Sequence, residues 1–144
     1  MESIRINTEG VRLCINDDET RVITFNPTDV SFAERFYDLI AAFENREKGY
    51  KVKAELLQKD TSVDKLGIPK NAKEQLNLLK ETCEFVRSEI DKVFGAGTSK
   101  AAFGDANTLD MFEQFFVGIT PFVQKSREEK VKKYTGTKKR GVLK

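Results

Sequence analysis

Residues 83–123, CEFVRSEIDKVFGAGTSKAAFGDANTLDMFEQFFVGITPFV, constrain the fold most: one apolar helical face ends at a glycine-rich connection and a second, phenylalanine-rich helix begins beyond it. Seven of the eleven Phe lie here (Phe85, Phe94, Phe103, Phe112, Phe115, Phe116 and Phe122), so much of the large apolar surface available for burial belongs to this joint. Upstream, Leu76, Leu79, Cys83, Val86, Ile90 and Val93 recur in steps of 3, 4, 3, 4 and 3. That seam is what a bundle helix shows, with Leu78 and Phe85 as a second apolar face, and it spans too few heptads for a freestanding coiled coil. Asn71 and Glu74 supply a capping box at its start. Gly95 and Gly97 stop the helix, residues 98–103 make one short turn with Ser99 as a possible cap, and Asn107 or Thr108 caps the next helix.

In that helix Leu109, Phe112, Phe116, Ile119 and Val123 form one stripe, which Met111, Phe115 and Phe122 broaden. A helix this apolar is either central or covered by a partner. Phe112, Phe115, Phe116 and Phe122 are therefore the candidate partner-binding residues, with core packing as the competing reading and the stronger one against a ligand pocket. Gly118 and Pro121 predict a bend or a division, because proline removes a helical donor and clashes with the preceding turn.

Ahead of this, Ile4 and Ile6, then Val11, Leu13 and Ile15, then Val22 and Phe25 alternate as strands do. The pattern predicts an antiparallel hairpin or a three-strand meander over about residues 1–27, too small to stand alone in water and with an edge open to augmentation. Ser31 and Glu34 form another capping box, and Phe32, Phe36, Leu39, Ile40 and Phe43 follow on one helical face. From 45 to 59 charge is dense and Gly49 interrupts, leaving only Tyr50, Val52, Leu56 and Leu57 as anchors for a continued helix. Residues 60–70, DTSVDKLGIPK, read as a loop. The fold class is α+β: a small N-terminal hairpin, then a mainly helical bundle. Residues 1–134 form one domain and 135–144 a flexible basic tail.

With 33% charged and 39% hydrophobic residues, the core is thin for 144 residues. Residues 125–144 hold nine Lys or Arg and two Glu, leaving 16 basic against 21 acidic residues elsewhere: an acidic body carries a basic end. Lys132, Lys133, Lys138, Lys139 and Arg140 are the candidate tail contacts, although a solvated end is the simpler reading and, with few interleaved aromatics, nucleic acid is not the expected partner. Cys14 and Cys83 sit within apolar patterns without paired spacing, which predicts buried, reduced thiols in a cytosolic compartment. No secretory signal or membrane span is expected.

No His is present, which removes the commonest general base, the commonest metal ligand and every His-based triad. No enzymatic activity, cofactor or metal is expected. Gly95-Ala96-Gly97-Thr98-Ser99-Lys100 has the wrong order for a phosphate loop and follows a helix, not a strand. Asp105 to Asp110 lacks the glycine and ligand spacing of a calcium loop, and Asp17-Asp18-Glu19 reads as a hairpin turn.

Residues 74–134, and within them V-F-G-x-G-T-S-x-x-x-F-G from Val93 to Gly104, resemble small proteins encoded in the tail-morphogenesis region of long-tailed bacteriophages and prophages of Gram-positive bacteria. LGIPKNAKEQ, residues 66–75, and the hairpin-then-helix opening agree, so the resemblance covers essentially the whole chain. Its members are similar to tail assembly chaperones. The resemblance implies a non-enzymatic protein of the bacterial host cytoplasm that holds the tape-measure protein soluble and helps recruit tail-tube protein, with self-association covering its apolar faces otherwise. The alternative expectation is a structural or adaptor protein of phage or prophage, contacting nucleic acid or an acidic partner through its basic tail.

Overall fold

A computed structural model describes residues 1–135. Strands β1 (Val11–Ile15) and β2 (Asp18–Phe25) form a two-stranded antiparallel sheet, followed by α1 (Val30–Gln58), α2 (Ala72–Phe94), α3 (Thr98–Phe103) and α4 (Leu109–Tyr134). The α+β class stands, and the sheet is a hairpin, not a meander. Ile4 and Ile6 lie in an unpaired, exposed segment.

Asn16 and Asp17 link the strands at φ 53° and 61°, the left-handed conformation that a two-residue hairpin turn demands and that Asn and Asp tolerate best. Asp18 then accepts from the backbone N–H and hydroxyl of Thr20. Val11 pairs with Phe25 and Leu13 with Ile23, which turns Ile23 and Phe25 into the core. The same alternation turns Cys14 outward, so of the two thiols expected to be buried only Cys83 is. Gly10 enters the hairpin at φ 76°, and a Cβ there would lie 2.5 Å from both the Phe25 carbonyl oxygen and the Asn26 Cα.

Helix α1 starts two residues earlier than its capping-box sequence suggests. Asp29, not Ser31, is the cap, accepting from the Ser31 N–H at 2.9 Å. It then runs unbroken through Gly49. Phe32 and Phe36 meet Phe94, the Arg46 guanidinium lies 4.4 Å over the Phe85 ring, and the Leu57 carbonyl accepts from Asn71, so α1 and α2 pair antiparallel. Asn71 thus reaches α1 and accepts from the Gln75 side chain, in place of the expected capping box with Glu74. No residue between Phe43 and Thr82 is fully buried, and Leu76, the first member of the expected α2 seam, is exposed because only α1 lies opposite that half of the helix.

Helix α4 packs against the other half. Thr108 caps it through the Met111 N–H. Pro121 neither divides nor ends it: Val117 and Pro121 lie on its exposed face, and the Thr120 hydroxyl donates to the Phe116 carbonyl at 2.6 Å. The core where α1, α2, α4 and the hairpin converge is a network of phenylalanine rings. Phe94 joins all four, with ring centroids 5.7 Å from Phe25, 5.2 Å from Phe32 and 5.3 Å from Phe115. Edge-to-face pairs of this kind add roughly 0.5–1.5 kcal/mol each beyond area burial. No helix among the described residues is long and apolar enough to cross a membrane.

Candidate functional site

Phe36 meets Phe116, Phe43 meets Phe112 and Phe116, and the Thr28 carbonyl accepts from Arg127, so α1 and α4 also run antiparallel. On the outer side of this contact the two helices leave an open groove of about 510 Å³. Its floor is Ile40, Phe43, Phe116, Val117 and Pro121, with the Thr120 hydroxyl turned back to its own helix. Glu44, Glu47 and Glu113 rim it. Among the rim acids, Glu47 has a loose partner in Lys51 at 3.9 Å. Val117, 66% exposed, presents its side chain to whatever enters.

This geometry corrects the sequence-predicted partner surface. Phe112, Phe115 and Phe116 are buried in the chain's own core, packed on Phe43, Phe94 and Phe103, so their apolar surface is consumed by folding. Phe116 alone of the three also contributes to the groove floor. Phe122 is 38% exposed and stands edge-on to Phe25 at 6.1 Å, away from the groove. Lys132 and Lys133 are exposed on the last turn of α4, with the Lys133 ammonium 5.4 Å from the Tyr134 ring centroid. Lys138, Lys139 and Arg140, with the basic tail, lie outside the described residues. The residues that sequence reasoning missed are Ile40, Val117, Pro121 and the three rim glutamates. Val117 and Pro121, one helical turn apart on the polar side of an apolar helix, were the available signal.

A second groove of about 520 Å³ runs beneath the hairpin, between Leu13, Ile15 and Ile23 on the strands and Met111, Phe115 and Ile119 on α4. The Arg21 guanidinium closes one side, donating to the Ala101 carbonyl at 2.9 Å and to that of Ala102. It thereby ties the sheet to the carboxyl end of α3, where unsatisfied carbonyls favour a cation.

The glycine-rich motif is a structural joint. Gly95 and Gly97 take φ of 115° and 88°, the Thr98 hydroxyl donates to the Gly95 carbonyl, and Asp91 receives both the backbone N–H and the hydroxyl of Ser99. Arg87 braces the far side, donating to Asn107 Oδ1 at 3.0 Å and to the Ala106 carbonyl. Lys100 pairs with Asp105, which holds that carboxyl below its ordinary range, and burial pushes the Cys83 thiol up. These polar side chains are satisfied by the fold itself.

Comparison with curated proteins and with solved structures found no match. A family model described as "Family of unknown function (DUF6673)" matches residues 16–142, from the hairpin turn through all four helices. On that match, which spans most of the sequence, the chain belongs to the DUF6673 family of unknown function.

Proposed function

We propose that this chain is a non-enzymatic assembly chaperone of a long-tailed phage or prophage, working in the host cytoplasm. It binds apolar helical stretches of the tape-measure protein and assists recruitment of tail-tube subunits. The observation that carries the reading is the open groove between α1 and α4, whose floor of Ile40, Phe43, Phe116, Val117 and Pro121 is a bed for one face of an amphipathic helix. The resemblance of residues 74–134 to the small tail-region proteins supports the identity of the client. Burial of two or three aliphatic side chains in such a groove contributes about 1.5–3 kcal/mol each, before the cost of ordering the client. That is the strength of a holding contact that tube assembly has to be able to displace.

Co-expression with the tape-measure protein tests this directly. The chaperone keeps its client soluble; equal precipitation of the client with and without this chain rejects the proposal. A second reading, an adaptor acting through its basic end, draws on the exposed Lys132 and Lys133. It predicts salt-sensitive affinity for nucleic acid or an acidic partner that is lost on deleting residues 138–144, and retention of the chain in finished virions.

A further inference from the structure

The groove beneath the hairpin is open along one side. Its walls are β1, through residues 13–16, and the outer side of α4, through Met111, Gln114 and Gly118. Strand β2 is tied to α3 through Arg21, whereas β1 pairs with β2 alone among the described residues. The other edge of β1 therefore holds free backbone donors and acceptors beside an apolar trough. Nothing lies within 4 Å of the position of a Cβ at Gly118, so α4 leaves room there for side chains from above.

The segment immediately ahead of β1 fits this place. Ile4 and Ile6 alternate as in a strand, yet they are 84% and 72% exposed. The one hydrogen bond linking residues 1–9 to the rest of the described chain runs from Asn26 Nδ2 to the Thr8 carbonyl, exposed and 3.3 Å long. Gly10 already holds a φ of 76°, in the left-handed range that a tight reversal requires of its second central residue. A reversal at Glu9-Gly10 sets Thr8 opposite Val11, Ile6 opposite Leu13 and Ile4 opposite Ile15. Opposed residues of an antiparallel pair share a face, and Leu13 and Ile15 line the groove, so Ile4 and Ile6 face it too. The length agrees, because residues 4–8 match the five residues of β1. On the outer face Asn7 then lies beside Arg12, and Arg5 beside Cys14. A four-residue loop over 7–10 keeps Ile4 and Ile6 on the same face but sets Arg5 directly opposite Arg12, a like-charge pair that disfavours it.

We infer that residues 4–8 are a strap that closes over the hairpin groove, adding to the free edge of β1 as a third antiparallel strand with Ile4 and Ile6 turned toward α4. The open arrangement and the closed one differ by backbone rotation at Glu9 and Gly10 and by the Asn26–Thr8 bond. Closure covers the strand edge and the trough together, and any ligand of that groove has to displace the strap. The groove shares no residue with the one between α1 and α4, so the strap acts independently of a client held there.

The outward thiol of Cys14 reads closure, and Cys83, fully buried, does not compete with it. Arg5→Cys places a thiol opposite Cys14, Ile4→Cys places one on the other face, and Ser3→Cys tests the four-residue loop. Each variant is held with glutathione disulfide, which is reduced to two glutathione thiols as the protein thiols join, and the products are separated by mass. All three positions are exposed and close together in sequence, so an unpaired segment joins Cys14 from each alike. The strap predicts an intramolecular disulfide from position 5 about tenfold faster than from position 4. Adding Ile6→Asp to both variants should erase that preference, since closure then buries a charge. Fastest joining from position 3 supports the strap with the longer loop. Equal rates at all three positions, or a disulfide found only between two copies, overturn the inference. Hydrogen exchange gives a second reading: removing residues 1–8 should speed exchange at the β1 amides that point away from β2, and unchanged exchange there overturns the inference as well.

Discussion

The carboxylate of Asp91, one turn from the end of α2, accepts both the backbone N–H and the hydroxyl of Ser99, at 2.8 and 3.1 Å. It thereby serves as the amino-terminal cap of α3 from a different helix. This bond fixes the direction in which the chain leaves Gly95-Ala96-Gly97, and so where Phe103 and the start of α4 lie against the Phe94 cluster. The most distinctive motif in the sequence is explained by this joint: two glycines at positive φ, a hydroxyl returned to Gly95, and a serine held by an acid four residues ahead of the first glycine.

Asp91→Ala removes both bonds and leaves the Ser99 amide and hydroxyl without their partner. The expected loss is about 1–2 kcal/mol of stability in urea unfolding. Ser99→Ala keeps the amide bond and should lose about half as much. Equal losses would mean that the hydroxyl alone holds the joint.

Two glycines predict opposite outcomes. Gly49 lies inside α1 with nothing within 4 Å of the position of a Cβ, so Gly49→Ala should raise stability by about 0.5–1 kcal/mol through helix propensity and a less flexible unfolded chain. Gly10→Ala meets the Phe25 carbonyl and Asn26 backbone at a positive φ and should lower stability by more than about 1 kcal/mol, read as a drop in midpoint. Thermal melts of the two variants beside the wild type check both signs.

The thiols should react at very different rates. Cys14 is exposed on the outer face of β1, whereas Cys83 is fully buried and its pKa is raised by that burial, with nearby Arg87 opposing. Since the thiolate is the reactive form, iodoacetamide should label Cys14 alone in the native protein and both residues in denaturant. Cys14→Ser should abolish native labelling. Rapid native labelling of Cys83 would show that the α2 face opens readily.

Much of the fold was legible because its causes are local. The seam from Leu79 to Val93, the glycine stop and the loop at 60–70 each follow from periodicity or backbone conformation within a few residues, whereas the hairpin turn read at Asp17-Asp18-Glu19 lies at Asn16-Asp17, with Asp18 and Glu19 already in β2. Leu76 was misplaced because a seam repeats identically whether one helix or three lie opposite it. Pro121 was expected to disturb α4, yet its missing donor falls on an exposed face and does little harm there. The Asp29 cap shows two acceptable caps competing two residues apart, with the choice made by where the Pro27 turn delivers the chain.

The candidate site was barely legible. Phe112, Phe115 and Phe116 have the pattern of any buried stripe, and only the arrival of Phe43 and Phe94 shows that the chain covers them itself. Glu44 and Glu113 come from helices far apart in sequence, and no local signal unites them. The groove is a product of the antiparallel α1–α4 contact, and a contact between distant elements is what a single sequence encodes least directly.

The proposed function requires the α1–α4 groove to be the surface that receives an apolar helix of the client. An NMR titration of the isotope-labelled chain with a soluble helical fragment of the tape-measure protein tests this most directly. The amides of Ile40, Phe43, Val117 and Thr120 should shift together and saturate, and Val117→Asp should remove the response while the remaining spectrum stays native. Shifts confined to the hairpin or to the α1–α2 end around Leu57 and Leu76, or no shift at all, would contradict it.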